Sequence, residues 1–529
     1  MLQAHAGCEE GAAAGQATAA LDVDNESLAG KTAGELEATL ARWLRDAARL
    51  AARRGEAVLA SLVTPIEPQD PLRVFERARA LGQRFFWSDG RPENPARRLT
   101  LVGAGEIHRV EGDGARRFQA VGAGWAALRE RTWVEGPQVA GTGPVFLGGF
   151  AFDPEPPESP SKALGPAAAG PIRGALGGEG PSPWEAFPAA LMRVPELLLT
   201  GQGRAFWLTV NAWVGPGRDV QELAGRLARG VTRFVREEPA GTDRAVQPSR
   251  SAAGAPQVLD GDPDPWYEAV AQAAEAVRNG LVAKVVLARP QRVRLPDAVA
   301  PDRVLAALAA QNPRATLFCL ELGESAFLGA TPEHLAQVAG GWVESMALAG
   351  SAPRGTSPDE DERLGRELLS SPKNREEHRI VVDAVREALE PLTSHLDVAP
   401  EPGLLKLPTI QHLFTPVRGR LKAGATLLEV VERMHPTPAV GGAPKEAALQ
   451  LIRRLEGWDR GWYAGPLGWV DPQGNGAFAV ALRSGVMRGR EAHLFAGCGI
   501  VGASRPEEEY REWQIKWRPM LAALEEASR

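Results

Sequence analysis

The sequence predicts an α+β fold built mainly from antiparallel β-sheets, with helices packed outside them. In the C-terminal half, short apolar runs typical of strands alternate with amphipathic runs typical of helices. Near the C-terminus, two strand-like runs flank Asp-Pro-Gln-Gly-Asn-Gly at residues 471–476, which is a strong signal for an antiparallel hairpin. With 44% hydrophobic and 24% charged residues, the chain also has the composition of an ordinary globular protein.

Charge and cysteine content exclude several functional classes. The net charge of −6 argues against a broad cationic surface, so we expect no nucleic-acid partner. The three cysteines are scattered, which argues against a disulfide framework or a zinc site and fits a reducing cytosol. No apolar run is long enough to span a bilayer, and the N-terminus lacks the basic start and apolar core of a secretion signal. We therefore expect a cytoplasmic protein without a membrane partner.

The N-terminal half begins with an extension, residues 1–55, that we expect to be a disordered tail followed by a helix. Thr32 and Glu35 have the spacing of a capping box, and Leu and Trp then repeat at helical spacing. Over 56–240 we predict the first half of the fold from β-like runs that include RRFQAV and PVFLGGFAFDP. Within it, residues 155–186 are rich in Pro, Gly, Ala and Ser and are interpreted as a surface insertion.

A linker-like stretch over 241–263 precedes the second half of the fold, residues 264–525. This half begins with a predicted helix and the strand KVVLAR, and further strands follow. A long helix is expected from about Ser357 to Leu392, with an interruption at Ser371-Pro372, where proline disfavours helix continuation. A last helix is expected from about Pro506.

Two side chains in this half could exchange protons. Lys284 lies inside the apolar run VAKVVLAR, and burial lowers the pKa of an ammonium, so it could act as a base. Alternatively, its head group reaches water at the edge of the sheet. Glu333 lies in GATPEHL directly after a predicted strand, where a carboxyl can face a cleft and act as an acid. Alternatively, it is a turn residue or a carboxylate in the first turn of a helix.

Two glutamates on different helices could bind a divalent cation. Helical spacing places Glu377 with Val381 on an otherwise apolar stripe, whereas Glu376 falls on a more solvated face. A carboxylate on a buried stripe needs a partner, either a cation such as Mg²⁺ or an arginine. Glu512 and Lys516 are four residues apart and would ordinarily form a surface ion pair. Two inward carboxylates from different helices would instead suit Mg²⁺ bound to an anionic substrate.

The segment AFAVALRSGV is predicted as one strand, and it carries a candidate substrate-binding residue, Arg483. Alternation places Arg483 on the uncrowded face with Ala479 and Ala481, where a guanidinium could bind a carboxylate in a fork. Alternatively, Arg483 forms a salt bridge in the core. On the following strand, Gly497 and Gly499 would leave backbone amides accessible to a ligand.

These motifs, taken in order, resemble those of the chorismate-binding enzymes. The resemblance covers roughly residues 60–520 and rests on KVVLAR, GATPEHL, LAGSAPRG, NREEHRIVV, PTIQHLFTPVRG, HPTPAVGGAPKEAA, GNGAFAVALRS and LFAGCGIV…EYREWQIK. Within the family the chain is similar to isochorismate synthases, and FLGGFAFDP and VPELLLT resemble the menaquinone-pathway type. The resemblance implies a single large domain in which two antiparallel sheets form a sandwich.

The resemblance also implies a role for each matching residue. Lys284 would be the general base that activates water for attack at C2 of chorismate, and Glu333 the general acid that protonates the departing C4 hydroxyl. Glu377 and Glu512 would bind Mg²⁺, which holds the ring carboxylate. The residues implied to contact the substrate are Gly350, Ser351, His412, Ala439, Arg483, Gly499 and Lys516.

Three positions separate the members of this family. Ammonia-using members usually carry Gln where this chain has Lys284, and aminodeoxychorismate synthases often have a nucleophilic Lys near Ala347. Salicylate synthases tend to have Thr where this chain has Ala439. The resemblance therefore implies an isochorismate synthase for menaquinone biosynthesis, without a glutaminase subunit, as a monomer or homodimer. The alternatives are salicylate synthase, another chorismate-utilising enzyme, or a non-catalytic chorismate-binding subunit.

Overall fold

The structure, a computed structural model, describes residues 27–90, 98–155, 182–236, 254–259, 261–406 and 410–529. In these ranges the chain forms two large sheets and a set of helices, which confirms the α+β prediction. The predicted disordered tail, most of the 155–186 insertion and part of the 241–263 linker lie outside the described residues. Within the described ranges, no helix has the length and apolar character needed to cross a membrane.

The strands of the first half are β1 (Val58–Ile66), β2 (Arg84–Ser88), β3 (Leu99–Ala104), β4 (His108–Gly112), β5 (Thr132–Glu135), β6 (Phe146–Phe150), β7 (Ala190–Val194), β8 (Leu197–Gln202) and β9 (Ala205–Val214). The helices of this half are α1 (Ala33–Arg54), α2 (Pro71–Arg77), α3 (Arg117–Glu130) and α4 (Val220–Val235).

The strands of the second half are β10 (Gln257–Leu259), β11 (Lys284–Arg294), β12 (Thr316–Leu322), β13 (Ser325–Thr331), β14 (His334–Ala339), β15 (Trp342–Pro353), β16 (Thr393–Val398), β17 (Gly403–Lys406), β18 (Ile410–Leu421), β19 (Gly442–Ala443), β20 (Pro466–Val470), β21 (Gly476–Val480), β22 (Ser484–Arg488) and β23 (Glu491–Ile500). Its helices are α5 (Asp264–Arg278), α6 (Pro301–Gln311), α7 (Pro358–Ser370), α8 (Pro372–Leu389), α9 (Leu427–Met434), α10 (Lys445–Glu456) and α11 (Pro506–Ala527).

Both sheets combine strands from the two halves of the sequence. The first sheet has the order β10-β11-β23-β22-β13-β12-β2-β3-β8-β9-β1-β5, with β19 beside β11. The second has the order β16-β18-β15-β14-β21-β20-β6-β7-β4, with β17 beside β18. The halves meet where β2 pairs with β12 and where β6 pairs with β20, in both cases antiparallel. This sharing of sheets is what a single large domain requires, while the domain limits themselves stay predictions.

The predicted hairpin near the C-terminus is confirmed by the antiparallel pairing of β20 with β21. Asp471 organises its turn, because its Oδ1 accepts hydrogen bonds from the backbone N–H groups of Gln473 and Asn475 at 3.0 and 2.9 Å. This is the local side-chain to backbone bonding that makes aspartate common in turns. The predicted break in the long helix is also confirmed, since α7 ends at Ser370 and α8 begins at Pro372.

Two predicted strands are wrong. RRFQAV belongs to helix α3, whose buried residues recur at helical spacing over a longer stretch than the six residues on which the prediction rested. AFAVALRSGV is two strands, because β21 ends at Val480 in the second sheet and β22 begins at Ser484 in the first. Arg483 lies in the crossing between them with a φ of 49°, so the alternation argument for its face does not hold.

Helix α1 is joined to the core of the first half. The predicted capping box is present, since the Thr32 side chain accepts from the Glu35 backbone N–H and the Glu35 carboxylate accepts from that of Thr32. Its apolar face packs against α4 and β1, and Leu40 and Leu44 are completely buried there. Helix formation and burial therefore follow from the same amphipathic pattern.

We expect Leu44→Ala to lower the free energy of unfolding by about 2–5 kcal/mol, because it leaves a cavity under α1. The control is Arg45→Ala on the exposed face of the same helix, for which we expect a change of no more than about 0.5 kcal/mol. Urea unfolding followed by tryptophan fluorescence measures both. Equal effects of the two substitutions would contradict the docking of α1.

Candidate active site

A cavity of about 320 Å³ lies where the start of β11 meets the N-terminal turns of α8 and α11. Every residue that the sequence analysis selected for catalysis, metal binding or substrate contact lines this one cavity. These residues are Lys284, Glu333, Gly350, Ser351, Glu377, His412, Ala439, Arg483, Gly499, Glu512 and Lys516. The fold thus brings together the whole predicted set, while the role of each residue stays a prediction.

Lys284 is a buried amine in the cavity wall. Its strand β11 runs between β23 on one side and the short strand β19 on the other, and the residue is only 4% exposed. The alternative of a lysine reaching water at a sheet edge is therefore wrong. Its Nζ donates a hydrogen bond to Glu377 Oε1 at 2.7 Å, so the charge of the amine is paired inside the cavity.

Glu333 is a half-buried residue whose backbone is fixed by two hydrogen bonds. Its N–H donates to Thr331 Oγ1 at 3.2 Å and its carbonyl accepts from the Val480 N–H at 3.0 Å. Because strand β14 follows it, the alternative of a carboxylate in a helix first turn is wrong. Burial raises the pKa of Glu333 to about 7, although the positive charge of Lys284 acts in the opposite direction. Near neutral pH this carboxyl can therefore carry a proton.

Glu377 lies at the edge of the buried face of α8. That face is formed by His378, Val381, Val385 and Leu389, so the stripe predicted for Glu377 itself is displaced by one position. The reason is His378, whose imidazole is buried between the Ala349 carbonyl at 3.2 Å and the Thr415 hydroxyl at 2.7 Å. With His378 turned to the sheet, Glu377 points into the cavity, where its partner is Lys284. The alternative of an arginine partner is therefore wrong, and the Mg²⁺ site stays a prediction.

Glu512 and Lys516 form an ion pair on α11, with 2.6 Å between Oε1 and Nζ. The pair lines the cavity, and Lys516 Nζ also donates to the Gly497 carbonyl at 2.9 Å, which an ordinary surface pair would not do. Burial alone would raise the pKa of Glu512, but Lys516 and the charge of Lys284 outweigh it and lower this pKa. Glu512 is therefore held as an anion.

Glu509 is a cavity residue that the sequence analysis did not select. Single ligand atoms of Cys498, Glu509 and Glu512 lie within 4.8 Å of one another, a grouping that could hold a cation. Residues three apart on a helix share a face, so the signal was the spacing of Glu509 and Glu512. The carboxylates provide the hard oxygen donors, whereas a thiol suits softer metals.

Positive and neutral polar groups form another part of the wall. Arg483 projects from the crossing between the sheets into the cavity, and the structure records no salt bridge for it among the described residues. His412 shares a hydrogen bond of 2.7 Å with the Ser351 hydroxyl. Burial, assisted by the charges of Lys516 and Arg483, lowers the pKa of His412 to about 4. The imidazole is therefore neutral at neutral pH, with one nitrogen that donates a hydrogen bond and one that accepts.

Two glycines are required by close packing around these groups. A Cβ at Gly499 would lie 2.9 Å from Lys284 Cε, so any side chain there would displace the lysine. Gly350 has a φ of 74°, and a Cβ there would also press on Asn374 at 3.2 Å. Gly499 thus leaves room for the amine and Gly350 for the start of α8, while their contact with the substrate stays a prediction.

The cavity includes further residues that motif reading missed, among them Lys373, Tyr463 and Phe495. Phe495 could have been found from strand alternation, since it precedes Gly497 and Gly499 by two and four residues on β23. Tyr463 lies in a turn after α10, where no periodic pattern indicates which way a side chain points.

Two sheets shared by both halves of the chain, and one cavity lined by a lysine, a protonatable carboxyl and further glutamates, are the features expected of an enzyme of the chorismate-binding class. The chain belongs to the chorismate binding enzyme family, whose model matches residues 44–525. It is 37% identical over 476 residues to isochorismate synthase MenF of Bacillus subtilis, covering 88% of this chain and 94% of that one. It is also 37% identical to the salicylate biosynthesis isochorismate synthase of Pseudomonas aeruginosa, over 88% of this chain and 90% of that one.

A solved structure supports the fold assignment. The menaquinone-specific isochorismate synthase MenF from Escherichia coli superposes with a TM-score of 0.68 over 91% of this chain and 99% of that one. At 24% identity this similarity concerns the fold.

We expect the Glu333 carboxyl to lose its proton with a midpoint near pH 7. Infrared difference spectra of wild type against Glu333→Gln measure this directly. Because the folded pKa exceeds the usual value of 4.5, ionisation opposes folding. The wild type should therefore lose stability relative to Glu333→Gln as the pH rises from about 4.5 to about 7. A carboxyl signal that disappears near pH 4.5 would contradict the assignment.

Proposed function

We propose that the protein is an isochorismate synthase that converts chorismate to isochorismate with Mg²⁺. The observation that carries this proposal is that Lys284 and Glu333 line the same cavity as the carboxylates Glu377 and Glu512. A base, an acid and a cation site around one small volume are what water addition with loss of a hydroxyl needs. The similarity to enzymes named isochorismate synthase over most of the chain supports the same conclusion.

Lys284 and Glu333 carry out the two proton transfers in this proposal. The amine of Lys284 takes a proton from a water molecule whose oxygen bonds to C2 of the ring. The ring double bonds shift, the bond from C4 to its hydroxyl breaks, and Glu333 donates the proton with which that hydroxyl leaves as water. One water enters and one leaves, so the reaction is an isomerisation. The raised pKa of Glu333 supports the role of the acid, because an acid must hold its proton near neutral pH.

Glu377 and Glu512 are proposed to hold the Mg²⁺ ion, with Glu509 close to Glu512. The donor set fits, because Mg²⁺ prefers carboxylate oxygens and leaves positions for substrate oxygens. When bound, the ion would hold and neutralise the ring carboxylate. Glu377 would then exchange its contact with Lys284 for the metal, which leaves the amine free to accept a proton.

The cations in the wall are proposed to bind the second carboxylate of the substrate. Arg483 and Lys516 both line the cavity, and a guanidinium can bind a carboxylate through two parallel hydrogen bonds. The neutral imidazole of His412 and the Ser351 hydroxyl would supply hydrogen bonds without adding charge. A doubly anionic substrate thus meets positive groups at both ends.

Product analysis tests the function. Purified protein with chorismate and MgCl₂ should produce isochorismate as the chromatographic product, without added ammonia. Salicylate with pyruvate would support the salicylate synthase alternative, and anthranilate formed with ammonia would support another family activity. Unchanged chorismate after hours would support a non-catalytic subunit. We infer a menaquinone role from the names of the relatives, and loss of menaquinone on gene deletion would check it.

We also infer that the enzyme acts in the cytoplasm, as a monomer or homodimer, and without a glutaminase subunit. The lysine at position 284, where ammonia-using members usually have Gln, supports a reaction with water that needs no ammonia supply. Light scattering of the active protein, purified alone, would determine the number of subunits.

We expect Lys284→Ala to lower kcat by at least about 10²-fold, because the proposed base is removed. Chorismate should still bind, because Arg483 and Lys516, the groups proposed to bind its carboxylate, remain. Turnover above about a tenth of wild type would contradict the role. Lys422→Ala is the control, since Lys422 is exposed and donates to the Pro391 carbonyl away from the cavity. Calorimetric titration with chorismate separates lost binding from lost chemistry.

We expect Glu512→Ala to raise the Mg²⁺ concentration needed for half-maximal activity, because one carboxylate ligand is removed. Thermal stabilisation of the protein by MgCl₂ should weaken in parallel, which is a readout independent of turnover. Glu508→Ala on the same helix is the matched control, since Glu508 is exposed and does not line the cavity. If the Mg²⁺ titration of Glu512→Ala matches that of the wild type, Glu512 is not a metal ligand and only forms the ion pair with Lys516.

A further inference from the structure

The strand that carries Lys284 has an incomplete neighbour on one side. Strand β23 pairs with β11 from Val285 to its end, whereas β19 pairs only with Lys284 and Val285. The last backbone bond from this side runs from the Val286 N–H to the Gly441 carbonyl at 2.8 Å. After Val286, the loop that contains Gly441 no longer pairs with β11. Strand β10 pairs with β11 only from Arg292 onward, which leaves a gap between the two.

Side chains take the place of the missing strand over this gap. Arg460 Nη2 donates to the Val286 carbonyl at 2.7 Å, and the Ala288 N–H donates to Glu456 Oε1 at 2.8 Å. The indole of Trp458 donates to the Ala288 carbonyl at 3.3 Å. The Val286 carbonyl and both backbone groups of Ala288 are therefore satisfied by one short segment, which runs from the last residue of α10 to Arg460.

Arg460 and Glu456 form a buried ion pair within this segment. They are 3% and 1% exposed. Arg460 Nε donates to Glu456 Oε2 at 2.9 Å, and Nη2 also contacts Oε1. The guanidinium lies 4.2 Å from the centre of the Phe152 ring. The Arg460 side chain is therefore held in one orientation by the forked hydrogen bonds to Glu456 and by the Phe152 ring.

The same guanidinium reaches the opposite wall of the cavity. Arg460 Nη1 donates to the Val440 carbonyl at 3.0 Å, and Val440 lies in the loop next to Ala439, which also lines the cavity. One side chain thus connects the strand of Lys284 to the loop that faces it. Arg460 also lines the cavity, but four of its five N–H donors are bonded to Glu456 and to two backbone carbonyls. Its main contacts are therefore with the protein.

We propose that Arg460 and Glu456 are positioning residues that hold the Lys284 strand and the Ala439 loop at the separation that catalysis needs. The inference rests on the proposed function, in which Lys284 is the base. A base must lie within hydrogen-bonding reach of the water that it activates, and a displacement of about 1 Å can cost about 10²-fold in rate. Two residues without contact to the reacting atoms would in this way determine kcat.

The test uses Arg460→Lys and Glu456→Gln, which preserve volume but break the fork. We expect kcat to fall about 10- to 100-fold, while KM for chorismate changes by less than about threefold, because Arg483, His412 and Lys516, the polar groups proposed to bind the substrate, lie on other elements. The matched control is Arg453→Lys, on the helix that ends at Glu456. Arg453 forms a forked pair with Asp153, at 2.6 Å for each bond, outside the cavity, so we expect its kcat to stay within about twofold of wild type.

A double variant separates positioning from stability. Arg460→Met with Glu456→Met removes both charges, so no unpaired charge remains buried and folding is expected to be retained. We expect it to fold with a lower melting temperature, because the Val286 carbonyl and the Ala288 N–H lose their side-chain partners, and to show the kcat loss when activity is expressed per folded protein. If it does not fold, the two conservative variants decide. The proposal would be overturned if the conservative variants fold and keep kcat within about twofold of wild type. It would also be overturned if their loss of activity equals their loss of folded protein.

The proposed function fails separately from this inference. If the wild-type protein forms no isochorismate, the proposed function is wrong, whatever the variants do. If the wild type is active and the variants behave like Arg453→Lys, only the positioning role of Arg460 and Glu456 is wrong.

Discussion

The contact between the Lys284 amine and the Glu377 carboxylate is the interaction on which the arrangement of the cavity depends. An amine that is 4% exposed is costly to bury without a partner of opposite charge. The partner comes from α8, which the buried His378 fixes against the second sheet. Space for the amine comes from Gly499 on β23 in the first sheet. The one pair therefore requires both sheets and the helix to be in place together.

The same electrostatic setting gives the two groups of carboxyls different properties. Among the described residues no ion pair forms with the Glu333 carboxyl, so burial dominates and raises its pKa to about 7. Glu512 is equally close to the cavity but has Lys516 at 2.6 Å, so its pKa is lowered instead. One carboxyl is therefore suited to proton donation and the other to cation binding, although both are glutamates. Environment, rather than residue type, assigns the roles.

Much of the local structure and of the site could be predicted from the sequence. The capping box at Thr32, the break before Pro372 and the turn at Asp471 were predictable because a few neighbouring residues determine them. The strand assignment of RRFQAV failed because six residues do not distinguish the two periodicities. The face predicted for Arg483 was wrong because the backbone passes from one sheet to the other at this residue, and side-chain alternation applies only within a strand.

By itself, the sequence determined the residue types of the site and the order of the local elements, because motifs and short-range patterns are properties of neighbouring residues. Only the tertiary structure decided that Glu377 faces Lys284, and that Arg460 and Glu456 replace a missing strand beside β11. These contacts join residues up to 174 positions apart. Their existence depends on the pairing of distant strands, which no local pattern specifies.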